Sequence, residues 1–321
     1  MDQPLNLPLA RTAVDRDYLS RSVETLFSDL AADASTRYLL VNRGKVLLEV
    51  TADHVQPSLQ LIGFNSELHP QLEVFLGRSE VEESGLSQGA AVVLWVVDDA
   101  AANQVSSEGW QHLRRTGAGL SALHSGLYAQ SLALANWHET HQFCPRCGCA
   151  TEITQAGWVR VCPTDGHQVF PRTDPAIIVS VIDDQDRILL GSQGIWEDNR
   201  WSILAGFVEP GESLAAAVKR EMFEEAGVRV INPEYLGSQA WPFPYALMVG
   251  FSARLDPKFA NQELAPDGDE IEKLRWFSRE EIAVQAEHLL LPSRMSISRA
   301  LIEHWYGGEI TSATELGHSG S

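Results

Sequence analysis

The chain has 321 residues, of which 44% are hydrophobic and 21% charged, a composition typical of a globular protein with a core of ordinary size. Its 43 acidic residues outnumber the 24 basic ones, and the resulting net charge of −19 disfavours broad, nonspecific binding to nucleic acid. The N-terminus lacks the apolar core of a signal peptide, and the longest apolar run, residues 90–97, is too short to cross a bilayer. We therefore predict a cytoplasmic protein with no membrane partner.

Residues 1–138 have the pattern of an N-terminal α+β domain. Residues 37–50 read as two strands joined by a turn at residues 42–44, and AAVVLWVVDD (residues 90–99) reads as a buried strand. Between residues 110 and 137, apolar residues recur at helical spacing without a proline, which predicts a core-facing helix. None of these elements implies a particular chemistry.

Four cysteines lie close together in the segment that follows, residues 139–172. They are the only cysteines of the chain, at Cys144, Cys147, Cys149 and Cys162. In a chain without an export signal, such clustering favours metal binding over disulfide formation.

A mixed α/β domain is predicted for residues 173–307. Residues 175–193 contain two apolar runs around an acidic turn at residues 183–186, which is the pattern of a hairpin. Helices are expected at about residues 213–226, 278–287 and 293–306. The polar, Gly/Ser-rich end of the chain, residues 308–321, is predicted to be a disordered tail.

The first of these helices carries an unusual set of carboxylates within GFVEPGESLAAAVKREMFEEAGV, residues 206–228. Ser213 can cap its start and Gly227 suits its end. Glu221 and Glu225 are four residues apart with Glu224 beside them, so the three carboxylates share one face. The apolar residues of the helix fall on another face, which can dock on a sheet, and are Leu214, Val218 and Met222.

Converging carboxylates without partners are costly unless a cation lies among them. The basic residues of this helix, Lys219 and Arg220, both precede the cluster. Hard divalent ions such as Mg²⁺ and Mn²⁺ prefer oxygen ligands and often link protein carboxylates to substrate phosphates. The pattern therefore indicates a metal-assisted phosphoryl site, with a solvated acidic helix face as the alternative.

The segment matches every fixed position of the Nudix box, G-x5-E-x7-R-E-U-x-E-E-x-G-U, at Gly206, Glu212, Arg220, Glu221, Glu224, Glu225 and Gly227. The chain thus resembles a Nudix hydrolase. This resemblance implies an α/β fold, namely an α/β/α sandwich with a mixed sheet that holds divalent metals against a diphosphate. It also implies that Glu221 and Glu225 bind Mg²⁺ or Mn²⁺ beside Glu224, that the Ala205 carbonyl completes the metal shell, and that Arg220 orients a carboxylate.

A second motif indicates which subfamily of Nudix hydrolases the chain resembles. SQAWPFPYALM, residues 238–248, is similar to the S-Q-P-W-P-F-P-x-S motif of the NADH pyrophosphatase (NudC-type) subfamily. Its two prolines stiffen the segment, so that Trp241 and Phe243 can present flat faces to a base; a core or surface-turn role is the alternative. Ala240 and Ala246 depart from the proline and serine of the motif, and the missing hydroxyl at Ala246 puts one substrate hydrogen bond in doubt.

Further site residues follow from the same resemblance. It implies substrate contacts at Phe170, Phe207, Gln239, Ala240, Trp241, Pro242, Phe243, Pro244, Tyr245, Ala246 and Ser298. Glu270, six residues before Trp276, matches another catalytic, metal-binding glutamate of the subfamily, with a surface acid as the alternative.

The cysteine segment resembles the zinc ribbon that precedes the Nudix domain in this subfamily. Such ribbons usually carry four cysteines in two C-x2-C knuckles, whereas here Asp165 occupies the fourth place after Cys144, Cys147 and Cys162. Zinc accepts carboxylate oxygen, so a Cys₃Asp zinc site is predicted. His167 and Cys149 are rival fourth ligands, and a zinc-free loop that has kept its thiols is the alternative.

We predict metal-dependent hydrolysis of the diphosphate of NADH or NAD⁺ to nicotinamide mononucleotide and AMP. Removal of NAD caps from RNA 5′ ends is an alternative with the same chemistry, since the acidic charge permits contacts to one or two nucleotides. A non-catalytic Nudix-type nucleotide sensor is disfavoured, because a sensor has no need of the carboxylates Glu221, Glu224 and Glu225. The resemblance also implies a homodimer.

Overall fold

The structure is a computed structural model of the chain and describes residue 5, residues 7–49 and residues 57–314. The chain forms two compact units. The N-terminal unit comprises residues 8–173 and 240–245, and the C-terminal unit comprises residues 1–7, 174–239 and 246–321. Among the helices of the described ranges, none has the length and apolarity needed to cross a bilayer.

The N-terminal unit is built on a mixed sheet. The strands of the whole N-terminal unit are β1 (Val14–Asp15), β2 (Arg37–Asn42), β3 (Lys45–Glu49), β4 (Ser58–Leu59), β5 (Leu72–Ser79), β6 (Ala91–Val96), β7 (Trp110–His112), β8 (Glu152–Thr154), β9 (Val159–Val161) and β10 (Gln168–Val169). Its helices are α1 (Leu26–Ala32), α2 (Asp99–Val105), α3 (Leu113–Thr116) and α4 (Ala122–Thr140). The large sheet has the order β1-β5-β6-β2-β3-β4, with β7 on β3, and β2 runs parallel to β6. The predicted hairpin and buried strand are confirmed as β2–β3 and β6.

Helix α4 starts later than its apolar pattern predicts. It begins at Ala122 after the N-cap Ser121, whose side chain accepts a hydrogen bond from the backbone of His124. Residues 110–121 instead form β7, α3 and a 3₁₀ turn. The phenol of Tyr128 donates to the Gly44 carbonyl at 2.9 Å and lies 2.8 Å from the Gln111 carbonyl. These contacts tie the helix to the sheet edge.

The small antiparallel sheet β10-β9-β8 carries the cysteine segment and packs on the large sheet within the same unit. Trp158, just before β9, donates its indole N–H to the Phe75 carbonyl at 2.8 Å. The Arg21 guanidinium lies 3.7 Å from the centre of the Trp158 ring, a favourable cation–π geometry. The cysteine segment therefore shares its packing with the N-terminal sheet instead of standing alone.

The C-terminal unit is an α/β/α sandwich. Its strands are β11 (Asp174–Ile182), β12 (Ile188–Ser192), β13 (Leu204–Phe207), β14 (Val230–Trp241), β15 (Ala246–Leu255) and β16 (Lys273–Phe277), and its helices are α5 (Leu214–Ala226), α6 (Arg279–Gln285) and α7 (Ile297–Tyr306). The sheet order is β14-β15-β11-β12-β16, with β13 also paired to β11. β11 is parallel to β15 and antiparallel to β12, so the sheet is mixed and the predicted hairpin is confirmed.

Apolar side chains of β11 point alternately to the two faces of the sheet and contribute to both cores of the sandwich. Ile178 and Ile182 pack in one core with residues of α6 and α7. Ile177, Val179 and Val181 pack in the other core with residues of α5. Successive side chains of a strand point to opposite faces, so a strand covered on both sides reads as a continuous apolar run. The predicted α/β/α architecture is confirmed.

The end of the chain is ordered further than its composition predicts. Ile310 is only 3% exposed and belongs to the core cluster of α6 and α7, and its carbonyl accepts a hydrogen bond from Arg299. The Thr314 hydroxyl donates to the Leu291 carbonyl at 2.7 Å. The expectation of a disordered tail from residue 308 is therefore wrong for residues 308–314, because one buried isoleucine anchors them; residues 315–321 lie outside the described residues.

The packing of Ile310 can be tested by truncating its side chain. Ile310→Ala should lower the free energy of unfolding by about 2–4 kcal/mol, since it removes buried methyl groups and leaves a cavity. Thr311→Ala, a change at the exposed neighbouring residue, should stay within about 0.5 kcal/mol of the wild type. Urea unfolding measures both values, and equal stability of the two variants would mean that the segment does not pack.

Candidate active site

Helix α5 presents the carboxylates of the Nudix-like segment. The Ser213 hydroxyl caps its start by accepting from the backbone N–H of Ala216 at 3.2 Å. Gly227 ends it in the left-handed conformation at φ 67°, which favours glycine. Val218 and Met222 are fully buried against the sheet, as predicted, whereas Leu214 is 37% exposed and does not dock. The cap holds Leu214 at the first turn, before the helix reaches the sheet.

Arg220 organises three of the carboxylates. It forms a two-point ion pair with Glu212, at 2.6 and 2.9 Å, and also contacts Glu221 at 2.9 Å and Glu224 at 2.8 Å. The hydrogen bonds with Glu212 raise the pKa of the Arg220 guanidinium and lower the pKa of the Glu212 carboxyl. The sequence expectation that the cluster lacks partners is therefore wrong for Glu221 and Glu224, and the expectation that Arg220 orients a carboxylate agrees with this geometry.

Gly206 shows why this position of the segment is a glycine. It lies on β13 opposite Ile177, and a Cβ atom built on it would lie 2.0 Å from the Cδ atom of Glu221. The Glu221 carboxylate thus rests directly on the backbone of β13, beside Ala205. The Arg220 guanidinium also donates to the Phe207 carbonyl at 3.0 Å, which ties the same strand to α5.

Glu225 is a buried carboxylate whose charge is not offset by an ion pair among the described residues. It is only 6% exposed, and its Oε2 atom has no hydrogen-bond partner among the described residues. Burial, together with the nearby charges of Glu221 and Glu270, raises the pKa of the Glu225 carboxyl to about 8. Burial also raises the pKa of Glu221, against the opposing effect of Arg220. A buried carboxylate facing other carboxylates is the arrangement that a bound cation would relieve.

The loop between β15 and β16 brings Glu270 to this cluster. The Asp267 side chain accepts hydrogen bonds from the backbone N–H groups of Asp269, Glu270 and Ile271, at 2.8–3.2 Å. This turn holds the exposed Glu270 close enough to raise the pKa of both Glu221 and Glu225. Sequence reasoning missed Asp267, although its place at the start of the turn DGDE was the available signal.

The aromatic motif forms a compact ring pair in the N-terminal unit. The Trp241 and Phe243 rings lie 5.1 Å apart at 74°, and both are half-buried. Pro242 is buried, Pro244 is exposed, and Tyr245 and Ala240 are half-buried. Partial exposure of the rings is compatible with stacking on a base, so their role as substrate contacts stays a prediction.

The other predicted substrate residues have different environments. Phe170 and Phe207 are exposed, at 57% and 61%. Gln239 is buried and donates to the Met295 carbonyl at 2.9 Å, while its own side-chain oxygen has no partner among the described residues. The buried Ser298 shares a 2.8 Å hydrogen bond with the Ser202 hydroxyl, and its backbone N–H donates to the Ser296 hydroxyl. Ala246 is half-buried at the start of β15, in register with Asp174.

The cysteine segment forms a second cluster. Cys144, Cys147, Cys162 and Asp165 each offer a donor atom within 4.8 Å of the others, an arrangement that could hold a metal ion. The rival ligands, His167 and Cys149, are not in the group. Three thiol sulfurs and one carboxylate oxygen make a donor set that suits zinc, and Asp165 takes the fourth place that the sequence assigned to it.

Backbone turns build this cluster from two similar knuckles. In the first, the backbone N–H of Cys144 donates to the Cys149 carbonyl, and Gly148 donates back to the Cys144 carbonyl. In the second, Cys162 donates to the His167 carbonyl and Gly166 to the Cys162 carbonyl. The backbone N–H of His167 also donates to the Asp165 carboxylate, and this hydrogen bond lowers the pKa of Asp165. The backbones of Cys149 and His167 thus close the two turns, and the Cys149 thiol, outside the donor group, accepts a hydrogen bond from the Thr164 hydroxyl at 3.4 Å.

Two sequence families match the chain in these regions. The NUDIX domain family matches residues 171–298, and the NADH pyrophosphatase zinc ribbon domain matches residues 139–170. The first range contains the carboxylate cluster, and the second contains the cysteine cluster. A solved Nudix hydrolase from Nitrosomonas europaea is 22% identical to the chain and covers 53% of it and 96% of its own length, with a TM-score of 0.42.

Curated relatives extend the likeness over almost the whole chain. The Mycobacterium tuberculosis protein named "NAD-capped RNA hydrolase NudC" is 37% identical over 314 residues, which cover 92% of this chain and 94% of that protein. The human protein named "NAD-capped RNA hydrolase NUDT12" is 37% identical over 196 residues, covering 56% of this chain and 41% of that protein. With the carboxylate cluster, the cysteine cluster and these matches together, the chain belongs to the NADH pyrophosphatase (NudC-type) subfamily of the Nudix hydrolases, enzymes that act on a diphosphate.

Proposed function

We propose that the chain hydrolyses the diphosphate of NADH or NAD⁺ to nicotinamide mononucleotide and AMP, with Mg²⁺ or Mn²⁺ at the carboxylate cluster. The observation that supports it most is the buried Oε2 atom of Glu225, which lacks a partner in the described part of the chain and faces further carboxylates. A nucleotide sensor would gain nothing from such a destabilising group, whereas a metal-dependent hydrolase requires it.

The residues around the carboxylate cluster have different proposed roles. Glu221, Glu225 and Glu270 would hold the divalent cation, with the Ala205 carbonyl as a further ligand. When bound, the cation neutralises the diphosphate and lowers the pKa of an attacking water. Arg220 fixes Glu221 and Glu224 in one orientation through its ion pairs, so little reorganisation is needed on binding. Glu225 would have to be ionised to hold the cation, so its ionisation and the metal affinity would be linked.

Removal of NAD caps from RNA is the second candidate. It is favoured by the relative that matches 92% of this chain, whose name states that it hydrolyses NAD-capped RNA. The net charge of −19 favours an RNA contact of one or two nucleotides over an extended one. Rates on NADH, NAD⁺, ADP-ribose and an NAD-capped RNA, measured at equal concentrations, decide between the two. A homodimer is also proposed, and light scattering on the purified protein measures it.

The first prediction concerns metal dependence. EDTA should abolish hydrolysis and Mg²⁺ or Mn²⁺ should restore it, while Glu225→Gln should lower turnover at least about 10²-fold because it removes a ligand charge. Without metal at neutral pH, Glu225→Gln should melt at a higher temperature than the wild type, because the buried Glu225 must either stay protonated at a cost or carry a charge beside other carboxylates, and glutamine does neither. Full activity of Glu225→Gln, or a lower melting temperature in EDTA, would contradict the proposed role of this carboxylate.

The second prediction concerns zinc at the cysteine cluster. Elemental analysis of protein purified without added metal should find about one zinc per chain, because four donors form a closed site. Cys147→Ser should lose the zinc and lower the melting temperature, since a structural zinc site contributes to folding. Cys149→Ser, whose side chain lies outside the donor group, should keep it. Zinc in neither the wild type nor the control would favour the zinc-free loop.

The third prediction tests the aromatic motif. Trp241→Ala should weaken NADH hydrolysis by about 5- to 150-fold, the range expected for the loss of one base–aromatic stack. ADP-ribose lacks the nicotinamide, and nicotinamide riboside diphosphate lacks the adenosine, so the loss should persist on one of these and vanish on the other. If Trp241 is instead a core residue, all three substrates should suffer equally and the melting temperature should fall.

A further inference from the structure

The loop Ala240–Tyr245, which carries the aromatic motif, has few means of fixing itself. Pro242 and Pro244 have no backbone N–H, so neither can donate a main-chain hydrogen bond. The loop makes one main-chain hydrogen bond of its own, from the Phe243 N–H to the Trp241 carbonyl at 2.7 Å. The carbonyl of the buried Pro242 still needs a donor, since an unpaired carbonyl shielded from water is costly. The donors that the structure supplies come from side chains of helix α4, which belongs to the same compact unit.

One amide group satisfies both proline carbonyls. The Nδ2 atom of Asn136 lies 3.1 Å from the Pro242 carbonyl oxygen and 3.2 Å from that of Pro244. A primary amide nitrogen carries two hydrogens, one for each acceptor, which a hydroxyl or a carboxylate cannot match. Asn136 therefore bridges the two residues that flank Phe243.

The next turn of the helix holds the end of the loop. The Thr140 hydroxyl lies 2.6 Å from the Tyr245 hydroxyl and 2.8 Å from the backbone carbonyl of Asn136. Four residues separate Asn136 from Thr140, so the two side chains lie on one face of α4. The His141 ring meets the Tyr245 ring edge-on at 5.8 Å. Helix α4 thus contacts the loop both at its two prolines and at its last residue.

A cation covers the ring pair itself. The guanidinium of Arg114, in helix α3, lies 4.2 Å from the centre of the Phe243 ring and 5.5 Å from that of Trp241. Arg114 forms no ion pair within the described ranges, so no carboxylate competes with the rings for its charge. A cation over aromatic faces at these distances is stabilising. Arg114 therefore restrains the rings directly, and Asn136 restrains the backbone that carries them.

We propose that Asn136 is a positioning residue for the dinucleotide substrate, acting through the loop it holds, with Thr140 and Arg114 in support. Its amide orders the Trp241–Phe243 pair before substrate arrives, so that binding a base does not have to immobilise two rings. This proposal rests on the proposed function, because it assumes that the loop contacts one base of the dinucleotide. It gives helices α3 and α4 of the N-terminal unit a role in substrate selection.

The test compares substrates with and without the stacked base. Asn136→Ala should raise KM for NADH by about 5- to 50-fold with kcat changed less than about twofold, the pattern of lost binding preorganisation. Asn136→Asp, which keeps the shape but cannot donate, should behave like Asn136→Ala. The truncated diphosphate whose hydrolysis is insensitive to Trp241→Ala should be equally insensitive to Asn136→Ala. Glu139→Ala, an exposed change on the same helix, is the matched control and should leave both KM and kcat unchanged.

A double variant separates positioning from direct contact. If Asn136 acts only through the rings, Asn136→Ala/Trp241→Ala should be no worse on NADH than Trp241→Ala alone. Thr140→Val, which keeps the shape of the side chain and removes its hydroxyl, should raise KM in the same direction and covers the case in which Asn136 variants do not fold.

The outcomes are distinguishable. If Trp241→Ala selectively weakens hydrolysis of NADH but Asn136→Ala and Thr140→Val do not, the positioning role is overturned and the proposed function still stands. No selectivity in Trp241→Ala removes the loop from the substrate site and overturns the positioning role, whereas the proposed function is overturned only if the wild-type protein fails to hydrolyse NADH and NAD⁺. Additive losses in the double variant, or losses on every substrate with a lowered melting temperature, would mean that Asn136 supports the fold and not the rings. Selective, non-additive losses support the proposal.

Discussion

Repulsion among carboxylates is the constraint around which the C-terminal unit is organised. Glu225 is buried, and this burial together with the nearby charges of Glu221 and Glu270 raises the pKa of its carboxyl. The fold tolerates this because Arg220 neutralises part of the cluster and is itself held by Glu212. Each surrounding feature follows from that arrangement: the glycine that admits the Glu221 carboxylate, the capped helix that aims it, and the Asp267 turn that presents Glu270. A site kept at such a cost is poised for a cation.

The cysteine cluster meets a different constraint, that of a segment too small for a core of its own. Its three strands are two or three residues long, and its buried residues include the thiols Cys144 and Cys162. Two backbone turns of the same form bring the four donor atoms together. The indole N–H of Trp158 hydrogen-bonds to the large sheet of the N-terminal unit. The turn of the second knuckle brings the Asp165 carboxylate to the three thiols, and carboxylate oxygen is a donor that zinc accepts as well as sulfur.

Within the N-terminal unit, helix α4 links ordinary core packing to the aromatic loop. One face of the helix is buried against the sheet, where Tyr128 contacts two carbonyls. Asn136 and Thr140 project from its C-terminal turns to the loop instead. The two prolines of the loop leave it few main-chain donors, and besides the bond from the Phe243 N–H to the Trp241 carbonyl these side chains hold it. The same helix thereby supports the domain and orders the aromatic loop.

The reaction class, the sandwich and the roles of the carboxylates Glu221, Glu224 and Glu225 were implied by the resemblance that the sequence motifs carry. Local spacing predicted the hairpins β2–β3 and β11–β12 and the shared face of the carboxylates, because residues three or four apart share a helix face, and alternation or continuous apolarity marks a strand. The same locality caused the errors, since apolar periodicity extended α4 too far forward and polar composition hid the anchor at Ile310.

The tertiary structure alone decided the contacts between groups that are far apart in the chain. Arg220 pairs with acids close to it in sequence, whereas its hydrogen bond to the Phe207 carbonyl requires β13 to lie beside α5. The burial of Glu225, the approach of Glu270 and the two bonds of Asn136 join residues from 45 to more than 100 positions apart. No local pattern encodes such pairings, because they arise only when distant elements meet and water is excluded between them.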